Sequence, residues 1–135
     1  MEIEQQEQTI AVVDKNGEYL SHCTKRRAKQ LVKRKAAEWV ALDMVRLLYD
    51  KADKRRFRQE AIERDKYTCY ICKKVMHKRH PELSVDHILA KNKGGSDYPD
   101  NLACCCKTCN EEKANMDLAT YLKIYRDKQR ERSVM

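Results

Sequence analysis

The sequence predicts an α+β fold, and three observations carry that expectation. Two Cys-x-x-Cys pairs, Cys69-Tyr70-Ile71-Cys72 and Cys106-Lys107-Thr108-Cys109, stand about thirty residues apart. Between them, two short runs with strand character flank the turn-rich segment Lys91-Asn92-Lys93-Gly94-Gly95-Ser96, which is the pattern of a hairpin with a long connection. Helical segments precede and follow this module. Only 41% of the 135 residues are hydrophobic, with one Phe and one Trp, so a fold this poor in core needs a staple, and a metal is the expected one.

Taken in order, Met1–Gln8 is a polar tail. Thr9-Ile10-Ala11-Val12-Val13 is β-branched and apolar; Asp14-Lys15-Asn16-Gly17 supplies a turn, and Glu18-Tyr19-Leu20 resumes the strand pattern. Asn-Gly between such runs signals a hairpin, since both residues tolerate positive φ. Thr24 is placed to cap a helix over Lys25–Lys35, with Ala28, Leu31 and Val32 on the apolar face and Lys25, Arg26, Lys29 and Lys33 opposite. Trp39–Leu48 alternates as a strand does at Val40, Leu42, Met44 and Leu48, yet holds good helix formers; the reading leans to helix. Asp50–Lys54 reads as a polar connection, and Arg55–Arg64 as a basic helix with Phe57, Ala61 and Ile62 inward.

Within the module, Glu82–Leu89 is a strand and Leu102–Cys105 a second one, in which Cys104 and Cys105 act as small hydrophobes. A helix begins after Cys109, and Asp117 caps a last one reaching about Gln129. Two domains are expected: a basic N-terminal extension at 1–54, and 55–135 containing the cysteine module and its flanking helices.

The chain carries a net charge of +8, and its distribution is uneven. Residues 1–22 sum to −4, residues 23–64 to +8, and 65–116 and 117–135 to +2 each. Positive charge gathered ahead of the module suits an anionic partner, most simply nucleic acid; the bland alternative is a solvated helix surface. No apolar run approaches membrane-spanning length, and no secretory signal precedes the cysteines. Reduced thiols and a soluble, cytoplasmic protein are the expectation, with disulfides the less favoured use of seven cysteines.

Spacing makes Cys69, Cys72, Cys106 and Cys109 a four-thiolate set for a closed, structural zinc ion, against the alternative of four buried reduced cysteines. Such an ion folds the protein and does no chemistry. Asp86-His87 is the second signal. Adjacent strand residues point to opposite sides, so these two cannot both be core. Phosphodiester hydrolysis needs a water, a base to deprotonate it and a cation for the charge on phosphate. An imidazole base beside a hard carboxylate suited to magnesium meets that need, and Asn110 offers a second oxygen.

Cys69-x-x-Cys72, Asp86-His87-Ile88, Gly94-Gly95, Asn101-Leu102, Cys106-x-x-Cys109-Asn110 and Lys113 together resemble the signature of HNH endonucleases, in order and spacing, over roughly residues 60 to 116. Glu63-Arg64-Asp65-Lys66-Tyr67-Thr68-Cys69 resembles the segment leading into that module. The resemblance implies a ββα-metal (His-Me finger) fold with one catalytic divalent ion, Mg2+ or Mn2+, besides the structural Zn2+. It implies that His87 is the general base, Asp86 and Asn110 ligands of the catalytic ion, and Asn101 a brace that holds the hairpin loop and so orients His87. With Asn110 at the third position this is an HNN variant, whose amide oxygen favours magnesium or manganese over softer ions. Lys113, one helical turn past Asn110, is expected near a phosphate. The alternative for Lys113 is a solvated helix lysine; Lys91, Lys93, Arg55, Arg56 and Arg58 are the other expected nucleic-acid contacts. Val13–Gly17 followed by Lys25–Leu31 faintly resembles the Arg-rich segment ahead of HNH modules in some RNA-guided nuclease relatives.

Two function classes follow. The first is a metal-dependent endonuclease acting on double-stranded DNA, of bacterial or phage type, working with packaging or other DNA-processing proteins. The second is a non-catalytic zinc-stabilised DNA-binding module. The set Asp86, His87 and Asn110 separates them, since a pure binder has no use for it. His22, Cys23, His77 and His80 read as surface or packing residues, and Tyr67, Tyr70 and Tyr98 as base-stacking or packing residues.

Overall fold

The computed structural model describes residues 8–134, so all of the expected polar tail but Gln8 lies outside the described residues. The chain packs as two compact units, 1–55 and 56–135. No helix among the described residues is long and apolar enough to cross a membrane.

In the first unit, β1 (Thr9–Val13) and β2 (Tyr19–Thr24) form the expected antiparallel hairpin. Its turn is built by Asp14, whose Oδ1 accepts from the backbone N–H groups of Asn16 and Glu18, and by Gly17, which alone takes the left-handed conformation at φ 90. The α1 helix (Lys25–Lys33) begins where predicted, Thr24 Oγ1 accepting from Arg27 N–H at 3.1 Å; such a cap contributes about 1 kcal/mol.

Trp39–Leu48 is not helical. It forms two strands, β3 (Ala37–Ala41) and β4 (Met44–Leu47), turning at Leu42-Asp43. The resulting sheet has the order β2-β1-β4-β3, with β1 and β4 parallel. Long-range pairing decided the matter: β4 bonds to strands on both sides, and Val45 enters a core of Ile10, Val12, Ala28 and Ala37. Leu31 and Val32 of α1 pack against that core, as their spacing predicts.

The second helix, α2 (Lys51–Arg64), carries the boundary between the units and starts four residues earlier than expected. Asp50 and Asp53 cap it reciprocally: Asp50 Oδ1 accepts from Asp53 N–H at 2.8 Å, and Asp53 Oδ2 from Asp50 N–H at 2.9 Å. Residues 51–54 are therefore helix rather than connection. Ala61 and Ile62 are buried, and Phe57 sits against the Tyr98 ring with centroids 5.1 Å apart.

In the second unit, β5 (Leu83–His87) pairs antiparallel with β6 (Leu102–Cys106), the register running from Leu83 opposite Cys106 to His87 opposite Leu102. Every residue of β6 is buried, and Cys104 and Cys105 do serve as small core residues. The α3 helix (Lys107–Lys113) begins before Cys109 rather than after it, because Cys106 itself caps it, its Sγ accepting from Cys109 N–H at 3.4 Å. The α4 helix (Leu118–Val134) is capped by Asp117, which accepts from Thr120 N–H and Oγ1–H, and extends beyond the expected end. This hairpin-and-helix arrangement with a four-cysteine group is the α+β, ββα-metal architecture that the resemblance implies.

Candidate functional site

Two tight turns gather the thiols. The first closes with Cys69 N–H donating to Lys74 O, Lys73 N–H donating to Cys69 O, and Lys73 in the left-handed region at φ 65. The second is the β6–α3 junction. Cys69, Cys72, Cys106 and Cys109 lie with their sulfurs within 4.8 Å of one another. Sulfurs bound tetrahedrally at the usual zinc–thiolate distance lie roughly 3.8 Å apart; those of Cys72 and Cys106 are separated by 3.8 Å. The donor set therefore fits zinc, and all seven cysteines are free of disulfides.

A fifth cysteine contributes. The Cys105 thiol donates to Cys69, bringing that group down to about 4 against the opposing effect of burial, while burial pushes the Cys106 and Cys109 thiols up. Cys105 is itself pushed up, first by that hydrogen bond and then by burial, so it remains a donor. Cys105 is therefore more than the small hydrophobe expected from its sequence.

The β5 strand and α3 helix build a second constellation. Asn110, in the middle of α3, donates through Nδ2 to Val85 O at 3.2 Å and Ser84 Oγ at 3.3 Å, pinning α3 across β5. The next residue on β5, Asp86, is 5% exposed; its carboxylate accepts from Tyr70 O–H and faces the Lys113 ammonium at 3.1 Å. Tyr70 is thus neither a stacking platform nor mere packing. Its hydroxyl is held protonated, first by burial and then by Asp86.

Lys113 corrects an expectation. Read as a phosphate contact, it is completely buried, paired with Asp86 and donating to His87 O at 3.5 Å. A buried carboxylate needs a cation, and Lys113 supplies one here. Asp86 and Asn110 bring the hard carboxylate and amide donors that a magnesium-like ion uses, and the carboxylate already faces one cation, the Lys113 ammonium, so the chemistry of the donors fits such an ion in place of that ammonium.

His87 points to the other side of β5, where its Nε2 lies 2.7 Å from Oδ1 of the buried Asp97. Nε2 bonded to a carboxylate carries the proton, which leaves the Nδ1 lone pair free. Asp97 escaped the sequence reading: it sits in a polar turn with no periodicity to mark it, and only folding of the loop brings it to the imidazole.

Asn101 holds that loop. Its Oδ1 accepts from Leu89 N–H at 2.9 Å, and its Nδ2 donates to Leu89 O at 3.0 Å and Ser96 O at 2.8 Å. The chain also folds tightly at Gly95, where an added Cβ would stand 1.7 Å from Leu89 O.

Asp86, His87, Asn110 and Lys113 are thereby assembled on one strand–helix pair, with Asn101 one loop away. The other expected cations lie at the surface. Lys91 and Lys93 are exposed on a 3-10 turn, Lys91 reaching Asp97 only at 4.0 Å. Arg55, Arg56 and Arg58 are exposed on α2, Arg56 pairing with Glu60 at 3.8 Å. His77 and His80 spend their Nδ1 atoms on the backbone N–H groups of Arg79 and Glu82, and His22 bonds Tyr19, so none of the three joins a metal cluster among the described residues.

Residues 69–121 match the family model described as HNH endonuclease. No curated protein matches the chain.

Proposed function

We propose that this chain, whose residues 69–121 match the HNH endonuclease family model, hydrolyses phosphodiester bonds in double-stranded DNA with His87 as the general base. The observation that carries the reading is the His87–Asp97 pair: an imidazole with one nitrogen bonded to a buried carboxylate and the other free to take a proton from water. A divalent ion held by Asp86 and Asn110, magnesium or manganese, supplies a counter-charge for the phosphate. The chain's own residues do the rest. Asp97 orients the imidazole and stabilises it once protonated. Asn101 keeps the loop bearing Asp97 folded against the end of β5. The zinc-bound knuckles hold β6 and α3 in register, and with them Asn110. By family analogy the products carry 3′-hydroxyl and 5′-phosphate ends.

Charge supports a nucleic-acid substrate. Lys25, Arg26, Lys29 and Lys33 are exposed along α1, a helix with no acidic residue, and α2 adds Arg55, Arg56 and Arg58. Action in the cytoplasm of a bacterium or phage-infected host, alongside packaging or other DNA-processing proteins, is the setting this reading favours.

One observation favours a second reading, a zinc-stabilised binding module without turnover: Asp86 is already neutralised by Lys113. A single variant separates the two. His87→Ala should abolish nicking of supercoiled plasmid in magnesium while zinc content and DNA binding stay at wild-type levels. Cleavage at the wild-type rate by that variant would overturn the proposed base.

A further inference from the structure

Lys113 is completely buried at the last position of α3, and its ammonium touches two groups on β5: the Asp86 carboxylate at 3.1 Å and the His87 carbonyl at 3.5 Å. Asp86 has one further partner, the protonated Tyr70 hydroxyl. The trio is electrically balanced, one carboxylate against one ammonium. A divalent ion arriving at Asp86 with Lys113 in place would leave one buried carboxylate facing three positive charges, with desolvation opposing all of them. Lysine has the means to leave: a four-carbon stem with free torsions and a strongly hydrated head that regains water outside.

We infer that Lys113 is an internal competitor of the divalent ion, occupying the cation position beside Asp86 and withdrawing when the ion binds. The inference rests on the proposal that Asp86 ligates that ion. It reconciles the two facts about Lys113: its burial in this structure, and its place one turn beyond Asn110, from which a released ammonium is free to meet an anion. Ion binding and release of the ammonium are then one coupled equilibrium, so the ion's apparent affinity is reduced by the strength of the Lys113–Asp86 pair.

The test measures binding, not cleavage. Zinc-loaded full-length protein is titrated with Mn2+, and free Mn2+ is read by electron paramagnetic resonance for wild type, Lys113→Met, Lys113→Gln and Asp86→Asn. The expected result is Mn2+ binding that is lost in Asp86→Asn and tightened in both Lys113 variants, on the order of tenfold as for a typical coupling between sites. Affinity equal to or weaker than wild type in the Lys113 variants overturns the inference while leaving Asp86 as a ligand. Binding unaffected by Asp86→Asn overturns the ligand assignment itself, and the inference with it. A second measurement needs no substitution. The Lys113 ammonium signal of 15N-labelled wild-type protein should be protected from solvent exchange without magnesium and lose that protection at saturating magnesium. A signal that stays protected at saturation overturns the inference.

Discussion

Under the proposed mechanism, the chemistry of His87 would turn on Asp97. Its side chain is 8% exposed and its Oδ1 lies 2.7 Å from Nε2, so it restrains the ring and, under the proposed mechanism, would offset the positive charge left when a water proton is taken. Two substitutions separate these contributions. Asp97→Asn keeps an acceptor oxygen but removes the charge; Asp97→Ala removes both. The expected outcome is a fall in kcat on the order of a hundredfold for Asp97→Ala, a smaller fall for Asp97→Asn, and a KM for DNA within about twofold of wild type in each, measured by steady-state plasmid nicking. A loss of binding in place of turnover would assign Asp97 a structural role. His87, Asp86 and the cysteines were legible in the sequence because each sits in a short motif whose spacing has a chemical meaning. Asp97 and Cys105 were not, since each acts through a partner that only the tertiary fold supplies: Asp97 through an imidazole ten residues away, Cys105 through the Cys69 sulfur of the first Cys-x-x-Cys turn.

At the level of elements, the loop between β5 and β6 decides whether the site stays assembled. Asn101 alone satisfies three backbone groups within it, one N–H and two carbonyls, at 2.8 to 3.0 Å. Two of these bonds are exposed, so Asn101→Ala should cost about 1–2 kcal/mol. Gly95→Ala should cost more, because the added methyl meets backbone rather than a movable side chain. Urea unfolding of the zinc-loaded protein checks both, and wild-type midpoints would refute the bracing role. The loop's turn character was readable from Gly94-Gly95, whereas the bracing by Asn101 was implied only by the family resemblance. Elements elsewhere were less so. Residues 39–48 have an apolar pattern compatible with helix or strand, and what settled them was β4 pairing in parallel with β1, more than thirty residues earlier in the chain. The start of α2 was hidden because Asp50 and Asp53 look like ordinary polar connection residues until their reciprocal capping is seen.

For the whole molecule, the two units are held by different physics. The main buried cluster of residues 56–135 is Ile62, Cys69, Ile71, Met76, Cys104, Cys105, Cys106, Cys109 and Tyr121, and five of these nine are cysteines. That core is short of hydrocarbon, and the sequence's low apolar content already implied as much. The core of residues 1–55 is Ile10, Val12, Ala28, Ala37 and Val45, with no metal ligand among them. A structural zinc contributes about 10–16 kcal/mol of binding free energy, which equals or exceeds the roughly 5–15 kcal/mol that separates a typical folded domain from its unfolded chain. Removing zinc from the full-length protein with a strong chelator should therefore collapse amide protection in β5, β6 and α3 by several orders of magnitude. Protection in β1, β4 and α1 should persist, because nothing in their core depends on the ion. Hydrogen exchange read segment by segment measures this directly, and re-addition of zinc should restore the lost protection. Uniform loss across both sets of elements would show that the first unit depends on the second for its folding. Retention of protection throughout would show that the four thiols hold their places without an ion, and would remove zinc from the account of stability.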